Sequence, residues 1–525
     1  MTYRRTTVNY IVVSSAEFTY PGITSYPSAA HSADVFAARG GYASFQLLLQ
    51  EMISHRVSIH FSNLPEGVTP ELYSLRSVMV ERNHGISEDN RKPHWPERTA
   101  PFRVYDCLRP FDGTVDSESE NSQGGLYVAL KVDRNAVPGT YPFSMIVNGL
   151  SIPGQLEIYK AMIPEESLTI VVGYSRDPLT EWHGVVPGTP AFEAMERKYL
   201  SAFRRMHQNM MYVSGIRAKE ISPNEWTFDY TELVNTIHAY RTAGIKYFRL
   251  PHVGLRKSWG ESTILLNGSI PAMSYEGYCY LTQYLHSLRD VLNELGCLDN
   301  CILPVNDEPN QHNATEYRAL CGLVHRIFPE IRLCDAMSYG NFHGAVDIWI
   351  PLNSEYEKHR AEIETFRQNG AEIWHYVCCV PREYGYINRF LDYPLLSTRY
   401  LHWGNYKYDL KGFLHWAANR YQPGQNPFET SCPEHRNADS VCYLPAGDTH
   451  IVYPGTDGPW ISMRLEAERE SAEEYEMLKS LAETDKEQAD EICGSVFHSF
   501  RDVEYDVRVF LQAKRRLLTA LSERD

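Results

Sequence analysis

The sequence predicts a mixed α/β protein: an N-terminal all-β sandwich, then a (β/α)8 TIM-type barrel, then a helical C-terminal extension. Up to about residue 164, short apolar or alternating runs recur between turn residues, as in sheets of short strands. From about residue 166, apolar runs of strand length alternate with long amphipathic stretches, which indicates parallel strands joined by helical crossovers. The predicted domains are residues 1–164, 165–482 and 483–525.

The first domain is predicted from four strand-like runs and the turns between them. The runs are Ala43–Glu51, Val57–Phe61, Leu126–Val132 and Tyr141–Val147. Turn residues between them include Gly40-Gly41 and Val137-Pro138-Gly139. This spacing is typical of a β-sandwich. No catalytic group stands out, so we expect this domain to support the next one.

The second domain is predicted to contain eight strands with helices between most of them. The strands are Leu168–Tyr174, Met211–Gly215, Tyr247–Val253, Cys301–Asn306, Ile331–Met337, Val346–Pro351, Glu372–Val380 and Gly412–Asn419. The helices are Ala191–Asn209, Tyr230–Ala243, Tyr275–Leu295, Thr315–Phe328, Glu355–Asn369 and Pro394–Lys407. Eight such units over roughly 300 residues fit a (β/α)8 barrel.

Two further helices are predicted after the last barrel strand. Glu466–Ala482 is acidic, and we expect its segment Glu466–Glu476 to form a solvated helix face. Val503–Leu521 is predicted to be a basic helix on the outside of the barrel.

Composition and missing motifs exclude several classes of protein. The net charge of −16 argues against a nucleic-acid partner. The sequence contains no run of about 18 apolar residues, the length that a membrane-spanning helix needs. The start, MTYRRTTVNYIVVSS, lacks the apolar core of a secretory signal, so we expect a cytoplasmic protein. The 11 cysteines show no CxxC pair, and P-loop, GxGxxG, GxSxG and HExxH motifs are absent. We therefore expect neither a metal nor another cofactor.

The segment CILPVNDEPN, Cys301–Asn310, is the clearest functional signal. An apolar strand ends there in two adjacent carboxylates, Asp307 and Glu308, and Pro309 stops the strand. Two acids at such an exit are costly to desolvate unless a function uses them. The pair is either the acid/base machinery of a glycoside hydrolase or a cap for the next helix.

Other polar and aromatic residues fall at the same predicted edge, where the carboxyl ends of barrel strands form active sites. They are Tyr174, His252, Asp335, Asn353, Trp374, Tyr376, Cys378, His415, Trp416 and Asn419. Rings that stack on a sugar, with carboxylates and amides for its hydroxyls, make a sugar pocket. Structural roles stay open: Trp374 and Tyr376 can fill the barrel, His252 can be structural, and Asp335 can pair with an arginine.

The placement of carboxylates bears on the mechanism. Glycosidases use two carboxyl groups, and the second often follows the seventh barrel strand. Here that strand begins with Glu372, and only Glu383 lies in the loop beyond it. Adjacent acids suit substrate assistance, in which the 2-acetamido oxygen of the sugar attacks its own anomeric carbon. Asp307 would then hold the acetamido N–H, and Glu308 would act as general acid and then general base.

Several segments in chain order carry a family resemblance. They are ASFQLLL (Ala43–Leu49), DRNAVPGTY (Asp133–Tyr141), Asp307-Glu308-Pro309, EIWHYVCCVP (Glu372–Pro381), GFLHWAAN (Gly412–Asn419), SMRLE (Ser462–Glu466) and EEYEML (Glu473–Leu478). The sequence resembles glycoside hydrolase family 123, β-N-acetylgalactosaminidases with a β-sandwich and a (β/α)8 barrel. The resemblance implies retention of configuration, with Asp307 orienting the acetamido group and Glu308 as acid/base. It also implies that Tyr376 and Trp416 bind the N-acetyl group and stack on the sugar.

Three functions stay open at this point. The first is an exo-acting hydrolase of terminal β-linked N-acetylgalactosamine, with a carbohydrate as its partner. The second is a glycosidase for another sugar, with Glu383 or Asp335 as a conventional nucleophile. The third is a sugar-binding barrel without turnover.

Overall fold

The first part of the chain folds into strands. The computed structural model describes residues 9–50, 52, 55–83, 98–116, 123–337, 340–382, 385–437 and 440–524. Within these ranges the strands before residue 165 are β1 (Tyr10–Ser14), β2 (Ala33–Arg39), β3 (Tyr42–Leu49), β4 (Ile59–Ser62), β5 (Val68–Val80), β6 (Phe102–Pro110), β7 (Gly124–Val132), β8 (Gly139–Val147) and β9 (Leu150–Met162). The four predicted runs correspond to β3, β4, β7 and β8; the sequence does not predict the other five.

Strands and helices alternate through the middle of the chain. The strands are β10 (Thr169–Val172), β11 (Met210–Tyr212), β12 (Arg217–Ser222), β13 (Glu225–Asp229), β14 (Tyr247–Arg249), β15 (Leu265–Leu266), β16 (Ile270–Pro271), β17 (Cys301–Pro304), β18 (Arg332–Met337), β19 (Ile348–Pro351), β20 (Glu372–Ile373), β21 (His375–Tyr376) and β22 (Gly412–His415). The helices are α1 (Asp177–His183), α2 (Pro190–Arg205), α3 (Thr231–Thr242), α4 (Tyr275–Glu294), α5 (Ala314–Ile327), α6 (Asn353–Gln368), α7 (Leu395–Arg399) and α8 (Leu401–Lys407), with a 3-10 turn at Leu298–Asn300.

The last part of the chain packs against both earlier parts. Its elements are β23 (Glu434–Asn437), β24 (Ser440–Tyr443), β25 (Tyr453–Gly455), β26 (Gly458–Ser462), α9 (Met463–Ala482), α10 (Lys486–Gly494), β27 (Phe497–Ser499), β28 (Asp502–Val503) and α11 (Val507–Ser522). Among the described residues, no helix combines the length and the apolar character that crossing a membrane requires.

Two sheets in the first part share one apolar cluster. The larger sheet has the order β1-β3-β7-β5-β6-β26-β25, and the smaller has the order β2-β9-β8-β4. Leu47 and Val128 of the larger sheet join Met145 and Leu156 of the smaller in that cluster. Leu48, on the opposite face of the larger sheet, belongs to the main core. Because both faces of this sheet are buried, its central strands read as continuous apolar runs.

The middle of the chain forms a nearly closed parallel sheet that resembles a barrel. The order is β20-β19-β18-β17-β14-β11-β10-β22-β21, and the strands at its two ends are halves of one stretch interrupted at Trp374. The Trp374 ring fills the interior beside Ile302, Ile350 and Leu414. A Cβ at Gly412 would lie 2.3 Å from this ring, so glycine is required there.

Helix α9 is buried along almost its whole length, which corrects the expectation of a solvated face for Glu466–Glu476. Its carboxylates are paired with cations from distant parts of the chain. Arg399 of α7 bonds Glu474 at 2.6 Å and also pairs with Glu470, which Lys514 of α11 contacts at 2.8 Å. Paired in this way, charges can be buried without the full cost of desolvation.

Helix α9 also contacts the N-terminal sheets. Arg464 bonds Asp106 of β6 at 3.0 Å, and neither side chain is exposed. Strand β26, just before α9, pairs antiparallel with β6. Helix α11 packs on α9 and on β9 of the smaller sheet, where Arg515 lies 3.9 Å from the Phe36 ring centroid. The sequence predicts that the C-terminal helix lies on the outside of the barrel. In the structure this helix also packs on the N-terminal sheets.

We predict that Arg399→Met destabilises the protein by about 3–5 kcal/mol, because it leaves two carboxylates in the interior short of a cation. The free energy of unfolding from chemical denaturation measures the effect. Lys486→Met is the matched control, since Lys486 pairs with Asp490 on the exposed surface of α10. We expect that control to cost less than about 1 kcal/mol. Equal losses in both variants would contradict the role given to the buried pairs.

Candidate active site

The acid pair lies just beyond β17, after Val305 and Asn306, and a buried carboxylate holds the backbone that leads to it. Asp335 Oδ2 accepts hydrogen bonds from the amides of Val305 at 3.1 Å and Asn306 at 3.0 Å. The Tyr317 hydroxyl of α5 donates to the same oxygen at 2.6 Å. Burial raises the pKa of Asp335 to about 8, against the opposing effect of these donors. Asp335 is fully buried, so it positions the segment and does not reach a substrate.

The turn that carries the acids has an unusual backbone. Glu308 has a φ of +43°, in the left-handed region that non-glycine residues rarely adopt. Arg256 stabilises this turn, because its Nη2 donates to the carbonyl oxygens of Glu308 at 2.8 Å and Asp307 at 3.2 Å. Strain of this kind is typical of functional sites, where the surroundings hold the backbone in place.

Glu308 lies in an environment that favours its protonated form. The Tyr376 hydroxyl of β21 donates to Glu308 Oε1 at 2.7 Å. Burial raises the pKa of Glu308, the Tyr376 hydrogen bond lowers it, and the negative charge of Asp307 raises it further. The net effect is an upward shift, which suits a general acid.

Asp307 has the opposite environment. Its side chain is 65% exposed, and its Oδ1 lies 3.8 Å from His252 Nε2. Arg249 donates to that same nitrogen at 3.2 Å. Burial, with the Arg249 charge, holds the pKa of His252 well below its ordinary value, so the ring is neutral and forms no ion pair with Asp307. The Asp307 side chain is thus exposed and is not held in an ion pair with His252.

The indole of Trp416, just after the neighbouring strand β22, is held by a hydrogen bond to a buried carboxylate. Trp416 is half-buried, and its Nε1 donates to Asp448 Oδ2 at 3.0 Å. Asp448 Oδ1 contacts His415 Nε2 at 3.2 Å. His415 Nδ1 accepts from Arg389 at 2.7 Å, so the proton of this ring belongs on Nε2, facing Asp448. Gly173 permits the close approach behind the indole, because a Cβ there would lie 1.9 Å from the Trp416 carbonyl oxygen.

Sequence reasoning misses Asp448 and Arg249. Asp448 comes from the long connection after β22, and burial raises its pKa well above the ordinary value. Arg249 lies inside a short apolar strand, with its guanidinium carbon 4.7 Å from the Tyr212 ring centroid. Neither residue lies in a recognisable motif. Only the position of Arg249, at the end of β14, could have marked it as a candidate.

Two predicted aromatic ligands lie elsewhere. Trp374 belongs to the interior cluster, and its Nε1 donates to Glu372 Oε1 at 2.6 Å at the amino end of the strand. Tyr174 packs against Phe203 of α2 with ring centroids 5.4 Å apart, and its hydroxyl lies 3.4 Å from Glu196 Oε1. Both side chains serve packing, because alternate strand residues face the interior or the surrounding helices.

The two predicted amide ligands also have structural roles. Asn353 is fully buried at the start of α6 and donates to the Ile387 carbonyl at 2.9 Å. Asn419 accepts from the Ser175 amide and donates to the Ser175 carbonyl, both at 2.8 Å, which joins the first and last strand ends. Of the predicted set, Tyr376 contacts Glu308 and His252 lies beside Asp307, while Trp416 follows β22, the strand paired with β21. Glu383 lies outside the described residues.

Comparison with known proteins agrees with this geometry. The family model of the glycoside hydrolase 123 catalytic domain matches residues 199–481, more than half of the chain. The chain belongs to glycoside hydrolase family 123. The resemblance inferred from the sequence is thus confirmed, and this family 123 member is an enzyme that hydrolyses glycosidic bonds of a carbohydrate.

One solved structure supports the fold. A family 123 glycoside hydrolase from Clostridium perfringens, from work on glycolipid glycan hydrolysis, is 15% identical with a TM-score of 0.77 and covers 99% of this chain and 98% of that one. A Thermobacillus composti family 10 xylanase (9% identity, 58% and 97% coverage) and a Rhizomucor miehei family 5 mannosidase (7%, 59% and 93%) reach TM-scores of only 0.33 and 0.31. No curated protein matches the chain.

We predict that Tyr376→Phe moves the alkaline limb of the kcat/KM profile to higher pH. The Tyr376 hydroxyl stabilises ionised Glu308, so its loss raises the pKa of Glu308 further, and the acid form persists to higher pH. The profile measured between pH 4 and 9 tests the shift. Tyr174→Phe is the control, because that hydroxyl lies outside the pocket. A downward shift in Tyr376→Phe, or the same shift in both variants, would contradict the assignment.

Proposed function

We propose that the enzyme is a retaining exo-glycosidase that releases terminal β-linked N-acetylgalactosamine with the help of the substrate's own 2-acetamido group. The observation that carries the proposal is the contrast between the two adjacent acids. Glu308 is held by Tyr376 where burial raises its pKa, while Asp307 stands exposed beside it.

In the first step the acetamido carbonyl oxygen attacks the anomeric carbon and the glycosidic bond breaks. Protonated Glu308 gives its proton to the departing oxygen. Asp307 accepts a hydrogen bond from the acetamido N–H, which increases the electron density on the carbonyl oxygen. Its negative charge also stabilises the oxazolinium ring that forms.

In the second step water opens the oxazolinium ring. Glu308, now a carboxylate, takes a proton from the water as it attacks the anomeric carbon. The acetamido oxygen leaves, and configuration is retained because two inversions have occurred. Trp416, fixed by Asp448, would stack on the sugar, and Tyr376 would contact the N-acetyl group while it holds Glu308.

The fold supports this division of work within the chain. We propose residues 1–164 as a β-sandwich, 165–482 as a catalytic (β/α)8 barrel and 483–525 as a helical extension. One qualification comes from β25 and β26, which fall in the second range but pair within the larger N-terminal sheet. The sandwich therefore supports the barrel through a segment of the barrel's own range.

The conventional double-displacement alternative has less support. Of its two nucleophile candidates, Asp335 is fully buried and bonded to three donors, so it cannot attack a sugar. A sugar-binding barrel without turnover has no need of a strained, partly buried acid beside an exposed one.

We predict that Glu308→Gln lowers kcat/KM by about 10²–10⁴-fold on a substrate with a poor leaving group. The loss should be much smaller on the 2,4-dinitrophenyl glycoside, whose leaving group departs without protonation. Steady-state rates on both substrates check this. Glu330→Gln, at an exposed position after α5, is the control and should match the wild-type enzyme. Equal losses on both substrates would remove Glu308 from the acid role.

We predict that activity requires the acetamido group and that Asp307→Asn costs about 10²-fold in kcat or more. Neutral asparagine cannot balance the oxazolinium charge. Aryl β-N-acetylgalactosaminide, β-N-acetylglucosaminide and plain β-galactoside are compared on both enzymes. Hydrolysis of the plain β-galactoside at a comparable rate would defeat the substrate-assisted mechanism, and a wild-type rate for Asp307→Asn would defeat the role of Asp307.

A further inference from the structure

An exposed indole lies on a segment tied to the acid pair. The segment comprises residues 255–261, after the third barrel strand, and we name it the Trp259 loop. Trp259 is 54% exposed, whereas Trp374 and Trp403 are 1% and 0% exposed. A single exposed apolar ring needs no explanation by itself. The hydrogen bonds of the Trp259 backbone, however, connect this residue to the acid pair.

One guanidinium joins the Trp259 loop to the acid pair. Arg256 Nη1 donates to the Trp259 carbonyl at 2.8 Å, while Nη2 of the same group donates to the carbonyls of Glu308 and Asp307. Because a guanidinium is planar and rigid, these bonds set the position of the Trp259 backbone relative to Glu308.

A second attachment comes from the residues just after the acids. Asn310 Nδ2 donates to the Trp259 carbonyl at 3.0 Å, and Asn310 is itself buried and bonded by Asn313. The Arg256 guanidinium carbon also lies 5.4 Å from the Trp259 ring centroid, close enough for a cation–π contact. The loop is therefore held from two sides, and most of the indole stays open to solvent.

The chemistry of Glu308 indicates what approaches this ring. A general acid reaches the oxygen that links the terminal sugar to the next unit, so the leaving unit lies beside Glu308. The Trp259 ring lies 5.4 Å from the guanidinium carbon of Arg256, which bonds the Glu308 carbonyl, so this ring lies near the acid turn. Rings of this kind bind a sugar through its C–H face, since both surfaces are apolar and flat.

We propose that Trp259 stacks on the leaving-group sugar and so contributes binding outside the terminal-sugar site. This inference rests on the proposed function and adds a binding site for the second sugar. Binding energy from that sugar lowers the barrier at the reacting bond.

The test compares a substrate that has a second sugar with one that lacks it. The disaccharides β-N-acetylgalactosaminyl-(1→3)- and -(1→4)-galactose carry the second ring, and N-acetyl-β-galactosaminyl fluoride does not. We expect Trp259→Ala to lower kcat/KM on the better disaccharide by about 10-fold or more and to leave the fluoride within about twofold. Trp259→Phe should keep most of the activity. Lys257→Ala, an exposed position of the same loop, should match the wild-type enzyme.

Binding of a thiazoline mimic of the oxazolinium ring reports on the terminal-sugar site alone, and Trp259→Ala should bind it as tightly as the wild-type enzyme. Equal losses on disaccharide and fluoride, no loss on either, or a Lys257→Ala effect as large as that of Trp259→Ala would overturn the inference. So would wild-type activity on the fluoride with none on either disaccharide. Absence of both fluoride hydrolysis and thiazoline binding in the wild-type enzyme would instead refute the proposed function.

Discussion

The buried charges of α9 are the constraint on which the rest of the structure depends. Arg464 and Glu468 of this helix are buried. Arg464 pairs with Asp106, and Glu468 pairs with Arg389. A buried ion without its partner is strongly destabilising, so each pair fixes two distant segments relative to each other. Because these partners come from a β-strand of the N-terminal sheets and from the connection after β21, α9 holds the sheets against the barrel-like sheet.

The same pairs extend to the active-site rim. Glu468 bonds Arg389 at 3.1 Å, Arg389 bonds His415 at 2.7 Å, and His415 contacts Asp448 at 3.2 Å. Asp448 in turn holds the indole of Trp416. Hydrogen bonds join Glu468 to Arg389, Arg389 to His415 and Trp416 to Asp448, and His415 and Asp448 are in close contact. The position of the half-buried Trp416 indole thus depends on helix α9.

Much of the barrel-like sheet and the acid pair could be predicted, because both are local in sequence. The apolar runs of the sequence coincide with the observed strands of this sheet, and Asp307 and Glu308 follow one of them. The burial of Glu466–Glu476 could not be predicted, since its pattern is also that of a solvated helix and its partners are remote in sequence. Tyr174 was misplaced because position near a strand end does not say which side of the strand a residue faces. Trp374 faces the interior, as Tyr376 does, but lies deeper, at the amino end of the strand.

Asp307 and Glu308 are adjacent but have opposite environments, and the backbone of Glu308 explains how. In an extended strand, neighbours point to opposite faces, but a strand end leaves both near the pocket. The positive φ of Glu308 turns its side chain toward Tyr376 while Asp307 stays exposed. Arg256 and Asp335 stabilise this turn from its carbonyl and amide sides. The contrast between a partly buried acid and an exposed one therefore follows from one strained peptide unit and the residues that hold it.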